Sequence, residues 1–173
     1  MAFWKSLFGG KESQPQQPGG EVVHVERRLD VPVARAFEVF VDKFGEWWPR
    51  DLTWAGDQLE KIVVEPKMGG RCFERSRDGA VAVFGKVLAV ERPSHIVLAW
   101  QIRPDRSPEP EEGMSSRVDV RFVADGAEKS AIVVVHRDFF RHGDGWQAYR
   151  AEMASKKGWP RLMDLYAEAV RRA

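Results

Sequence analysis

The sequence predicts an α+β domain in which helices cover one face of an antiparallel sheet. Three observations carry this. From Lys61 to Arg137 apolar residues recur with a period of two, in segments at 61–65, 70–76, 80–91, 94–103, 115–124 and 129–137. Turn chemistry separates them: Pro66 to Gly70, Asp78-Gly79, Arg92-Pro93-Ser94, Pro104 to Gly113 and Asp125-Gly126. On either side of this run the period becomes helical, so helices bracket consecutive hairpins rather than alternate with strands. With a strand before the first helix, the sheet has seven strands.

Each element has its own reason. Val22, Val23 and Val25 with Arg27, Arg28 and Leu29 form the first strand, and Asp30 is placed to cap the following helix. Pro32 suits a first helical turn, where its missing N–H has no partner to lose. Phe37, Phe40, Val41 and Phe44 recur at i, i+3, i+4 and i+7, and Gly45 interrupts before Trp47-Trp48-Pro49. Strand 94–103 alternates Ile96, Leu98, Trp100 and Ile102 against His95, Val97, Ala99, Gln101 and Arg103. Strand 115–124 sets Val118, Val120 and Phe122 against Arg117, Asp119 and Arg121. The stretch 104–113 holds three prolines and three glutamates, which predicts an exposed, mobile connection. A short helix follows from Gly145 to Lys156, with Trp146, Tyr149 and Met153 inward. Gly158-Trp159-Pro160 then opens a long last helix with one apolar stripe of Trp159, Leu162, Met163, Tyr166 and Val170.

Composition narrows the function classes. Among 173 residues, 27 Lys and Arg against 26 Asp and Glu leave a net charge of +1, with no global positive field to neutralise phosphates. No nucleic-acid partner is expected. Cys72 is the single cysteine and cannot form an internal disulfide, and without any Asn there is no N-glycosylation acceptor. No apolar run reaches the roughly 18 residues of a spanning helix, so a cytoplasmic domain is expected. Residues 9–20 are rich in Gly, Pro and Gln and read as a flexible linker ahead of a domain at 21–173. Before the linker, Phe3, Trp4, Leu7 and Phe8 would share one face of a helix. Eight residues are too few to be helical alone, so residues 1–8 read as a disordered start or as a weak membrane or partner contact.

Several short pieces together resemble a known superfamily. They are Val31-Pro32 with Phe37 and Phe40, Trp47-Trp48-Pro49, Glu65-Pro66 with Gly69-Gly70-Arg71, and Asp78-Gly79. Gly85-Lys86-Val87, Glu91-Arg92-Pro93 with Ile96 to Trp100, and Gly158-Trp159-Pro160 complete the set. In order and spacing these resemble the SRPBCC (START-like) superfamily, in the branch of homologues of the heat-shock-protein-90 ATPase activator C-terminal domain. The resemblance runs from about Glu21 to the C-terminus. It implies a helix-grip fold, in which the sheet curls around the C-terminal helix and leaves an elongated cavity. Related domains bind lipids, sterols, polyketides or plant hormones there, and a few are cyclases or hydrolases. The lining it implies is Trp47 and Trp48 near one mouth, with Phe73, Phe84, Trp100, Phe122, Trp159, Leu162, Met163 and Tyr166 in the wall. Alternation alone leaves the inward set on 70–76 and 80–91 open, because a one-residue slip reverses it. The seven Trp and ten Phe are a surplus of rings that suits a pocket wall and suits a filled core equally.

Polar candidates for orienting a ligand are Arg71, Glu74, Arg75 and His136. Glu74 shares the parity of Cys72 and reads either as a cavity group or as an ion-pair partner. His136 shares the parity of Ile132 and Val134 and reads either as a hydrogen-bonded core residue or as a ligand contact. The run from His136 to Asp144 holds two His and two Asp, but no second cluster supports a metal centre, and none is expected. Cys72 reads as a small buried residue. Nucleophile-elbow, phosphate-loop and dinucleotide fingerprints are absent from the sequence, and no cofactor is expected. The expectation is a non-catalytic module holding a small hydrophobic or amphipathic molecule. Its site residues are Trp47, Trp48, Phe73, Glu74, Phe84, Trp100, Phe122, His136, Trp159 and Met163. The alternatives are a chaperone-associated protein and a cyclase- or hydrolase-type enzyme using His136 and Glu74.

Overall fold

The computed structural model describes residues 21–173, and what was read on residues 1–20 lies outside the described residues. Seven antiparallel strands run β1 (Val23–Leu29), β2 (Leu59–Val64), β3 (Arg71–Ser76), β4 (Val81–Glu91), β5 (His95–Trp100), β6 (Ser116–Asp125) and β7 (Lys129–Arg137). Their spatial order is β1-β7-β6-β5-β4-β3-β2, so β1 and β2 occupy opposite edges. The chain crosses between those edges through α1 (Val33–Val41) and the one-turn α2 (Phe44–Trp47). After β7 come α3 (Trp146–Ala154) and the long α4 (Trp159–Arg172). This is the helix-grip arrangement: a curled sheet holding the C-terminal helix in its concave face.

Register irregularities at Glu60 in β2 and at Phe84 and Leu88 in β4 bend those two strands, since an extra residue in one strand kinks it and increases its twist. Gly85 allows a close approach in the same region: a Cβ there would lie 2.7 Å from the Ala99 carbonyl oxygen. On β5 and β6 the expected faces hold, with Ile96, Leu98, Trp100, Val118, Val120 and Phe122 all buried. The stripe on α4 is buried throughout, and Tyr166 donates its hydroxyl to the Ala36 carbonyl at 2.7 Å, tying α4 to α1.

Four expectations need correction. Asp30 does not cap α1: Pro32 occupies the cap position, no side chain bonds to the helix start, and Asp30 is exposed. Gly45 does not interrupt the helix but lies inside α2, and the break falls at Asp42 and Lys43. Segment 94–103 stops being a strand at Trp100, and Ile102 pairs with Pro108 in an isolated bridge. The stretch 104–113 is not simply an exposed connection, because it folds back on the sheet. Glu109 is buried and accepts from Arg103 at 2.8 Å, Gln101 donates to the Glu109 carbonyl at 3.0 Å, and Lys86 donates to Glu112 at 2.7 Å. Charge at the prolines' neighbours, read from sequence as solvation, is spent on local pairing.

Candidate functional site

The helices do not fill the concave face evenly. A cavity of about 330 Å³ opens where α3 meets α4. Trp48, Trp100, Ile102, Met153 and Leu162 provide its apolar wall, and Gly158 forms part of its margin. A Cβ on Gly158 would lie 2.3 Å from the Met153 carbonyl oxygen, so only glycine lets α4 begin this close to α3. The outer margin is polar and comes from the segment after α2 and from the arm between β5 and β6. Asp51 is gripped by both terminal nitrogens of Arg161 at 2.8 and 2.9 Å, and this pairing holds its carboxyl below the ordinary range. Arg106 donates to Glu152 at 2.8 Å, while its own carbonyl accepts from the Trp54 indole at 2.7 Å. Arg106 holds φ at 70°, a left-handed conformation that costs a side-chain-bearing residue about 1 kcal/mol or more. These two contacts offset that cost and clasp the arm to Trp54, which is 38% exposed.

Beside the cavity the interior is dry and directional. Trp159 donates its indole N–H to His136 Nδ1 at 3.0 Å. An indole nitrogen only donates, so His136 Nδ1 is the acceptor and Nε2 carries the proton. His136 Nε2–H then donates to Ser116 Oγ at 2.7 Å, and Ser116 donates its own hydroxyl to His142 Nε2 at 2.7 Å. The proton of His142 is left on Nδ1, which is buried without a partner among the described residues. Burial pushes His136 well below the ordinary imidazole range and lowers His142 to about 4, with Glu109 opposing the latter shift. Both rings are therefore neutral at pH 7. Nearby, Trp100 donates to the Tyr149 hydroxyl at 2.8 Å.

The residues singled out from sequence divide between these regions. Trp48 and Trp100 line the cavity. Trp47, Phe84, Phe122, Trp159 and Met163 are buried in the core cluster beside it. There Trp47 meets Tyr166 at 5.5 Å between ring centroids, and Phe122 meets Phe40 at 5.6 Å. Phe73 lies on the opposite face of β3 from Cys72 and Glu74, under the Arg71 guanidinium at 4.7 Å. Arg71 pairs with Glu65, and Arg75 with Glu60, across neighbouring segments. His136 is fully enclosed, with both ring nitrogens occupied. Glu74 lies on the inner face of β3, in a second hollow of about 190 Å³ that Trp54 also lines. None of the described cavities is lined by both His136 and Glu74. Cys72 is buried, and its thiol is pushed up to about 12 by that burial.

Sequence reasoning missed the polar margin: Asp51, Thr53, Trp54, Arg106, Glu152 and Lys157. One signal was available, since Trp54 follows Trp47-Trp48 without belonging to any helical or alternating stripe. Ser116 was missed because it joins His136 and His142 from another strand. Thr53, the cavity's only hydroxyl among the described lining, donates to the Arg50 carbonyl at 2.7 Å and accepts from the Gly56 N–H at 3.0 Å.

A curled sheet, a gripped helix and an incompletely filled interior define a helix-grip domain. The chain belongs to the family described as "Activator of Hsp90 ATPase homolog 1-like protein", whose model matches residues 30–171. No curated protein matches it. Among solved structures it is similar to CalC from Micromonospora echinospora, a self-sacrificing resistance protein, at 28% identity and a TM-score of 0.61, covering 87% of this chain and 94% of that one. An anthrahydroquino-gamma-pyrone synthase is similar at 24% identity and a TM-score of 0.61, covering 90% and 99%. A protein from Nitrosomonas europaea has the same fold at 12% identity and a TM-score of 0.60, covering 87% and 94%.

Proposed function

We propose that this chain is a non-catalytic module that holds a small hydrophobic or amphipathic molecule between the sheet and the C-terminal helix. The observation that carries the reading is the cavity of about 330 Å³ walled by Trp48, Trp100, Met153 and Leu162. Its size falls in the lower part of the range for small-molecule pockets, and a mostly apolar wall with a few polar groups at the margin is the usual lining. The likeness in fold to an anthrahydroquino-gamma-pyrone synthase lends support, as that name concerns a small molecule. His136 is enclosed and doubly bonded, which favours binding over catalysis through that ring. The partner on this reading is a small molecule, and no nucleic acid is involved.

Fluorescence titration with N-phenyl-1-naphthylamine, an apolar dye that brightens in dry pockets, tests the reading. Saturable binding to the wild type that is lost in Leu52→Trp is expected, because Leu52 stands half-buried at the margin with room to fill the cavity. No binding by the wild type, or equal binding by a well-folded Leu52→Trp protein, would remove the cavity as the site. The family's description also names ATPase activation of a chaperone. Stimulation of the host chaperone's ATPase that survives Leu52→Trp would favour that second reading.

A further inference from the structure

One buried acid is distinguished by the partners it lacks. Glu74 is 3% exposed, yet its one hydrogen bond among the described residues comes from the Ala55 N–H, at 2.6 Å to Oε1. No Lys, Arg or His side chain among the described residues lies within ion-pair distance of it. Glu109, comparably buried, shows how this chain settles such a group: Arg103 donates to both its oxygens and the Glu111 N–H adds a third bond. A carboxyl group has about four acceptor sites, and burying it underused costs more than burying a neutral polar group.

The unused capacity of Glu74 faces a space. Glu74 lines the hollow of about 190 Å³ bounded by Trp54, Ala55, Ser76, Ala80, Val81 and Ala82. Ala82 is the direct cross-strand partner of Glu74, so both side chains lie on the same face, and it is the small size of Ala82 that leaves room above the carboxyl. Trp54 lines this hollow and the main cavity alike, so the two adjoin at its side chain. No cation stands ready there for an incoming carboxylate or phosphate, whereas an amine or hydroxyl would complete the acceptor set.

We infer that this hollow is the polar end of the binding site, and that Glu74 accepts a hydrogen bond from an amine or hydroxyl of a ligand whose apolar body lies in the main cavity. The inference rests on the binding reading above and adds the class of ligand: amphipathic amines and alcohols, not acids. Three probes with one ring system separate the two claims, namely 2-(1-naphthyl)ethylamine, 2-(1-naphthyl)ethanol and 1-ethylnaphthalene, each competed against N-phenyl-1-naphthylamine. The amine and the alcohol should bind the wild type at least about tenfold more tightly than 1-ethylnaphthalene, the amine best of all. In Glu74→Gln, which keeps an oxygen for the Ala55 N–H, the amine's advantage should fall to within about threefold while 1-ethylnaphthalene is unchanged. Ala82→Leu should erase the preference by filling the hollow with the carboxyl intact. Binding of 1-ethylnaphthalene with no donor preference, or a preference that survives both variants, overturns the assignment of Glu74 alone. Failure of 1-ethylnaphthalene and the dye to bind at all overturns the cavity reading and this inference with it.

Discussion

Two neighbouring parts of one concave face are built from the same kind of residue and end differently. In the part gripping α1 and α4, Phe40, Trp47, Phe122 and Tyr166 meet at 5.0 to 5.6 Å between ring centroids, edge-on except for the tilted Phe40–Trp47 pair, and the space is filled by the protein's own rings. At the α3–α4 junction, Trp48 and Trp100 face an opening, because Gly158 contributes no side chain and the margin is made of paired charges that remain in water. The difference shows that aromatic abundance does not locate a pocket. What locates it is where helices leave the sheet: a chain that turns between two helices cannot supply a continuous stripe of side chains, and the sheet's inner face is left uncovered there.

The filled part should be the more sensitive to truncation. Phe40→Ala is expected to cost about 3–5 kcal/mol in urea unfolding, whereas Leu52→Ala at the cavity margin should cost about 1 kcal/mol or less. Similar losses at both positions would erase the contrast.

Acid should break the filled part through the histidine chain. The lowered value of His142, about 4 against an ordinary 6.5, means that the unfolded chain binds more protons between those values. Stability is therefore flat above pH 6.5 on this account and falls as the pH drops toward 4. His136 shifts in the same direction and deepens the fall. Urea midpoints of wild type and His142→Gln at pH 7.5 and 4.5 measure it: the variant should lose less on acidification, and equal losses would exclude His142 as the cause.

Removing the hydroxyl between the rings is a smaller perturbation. Ser116→Ala leaves the His136 Nε2–H without its acceptor, and an expected loss of about 1–3 kcal/mol follows. Smallest of all is Trp54→Phe, which keeps a ring at the margin and removes the bond to the Arg106 carbonyl, for about 0.5–1 kcal/mol. Its readout is the arm: amide exchange at residues 105–107 should quicken while β6 and β7 are unchanged.

The order of strands and the stripe on α4 were legible because alternation and helical period each follow from burial on one face. Phe73 was placed in the wall only through the resemblance, since alternation on β3 left two registers open, and the bulge at Phe84 on β4 is not visible in a pattern of period two. Asp30 looked like a cap by type, but Pro32 turns the chain two residues later. The arm at 104–113 looked solvated because its charges find their partners, Arg103 with Glu109 and Arg106 with Glu152, through folding back that no local pattern encodes. The tie between His136 and His142 depended on a serine twenty residues before the first of them.

The central claim is that the opening beside α4 accepts a guest molecule. Intermolecular nuclear Overhauser contacts from bound N-phenyl-1-naphthylamine test it most directly. The account predicts contacts to the Met153 and Leu162 methyl groups and to the Trp48 and Trp100 rings. Contacts confined to exposed apolar side chains such as Met68, Met114 or Phe140 would contradict it.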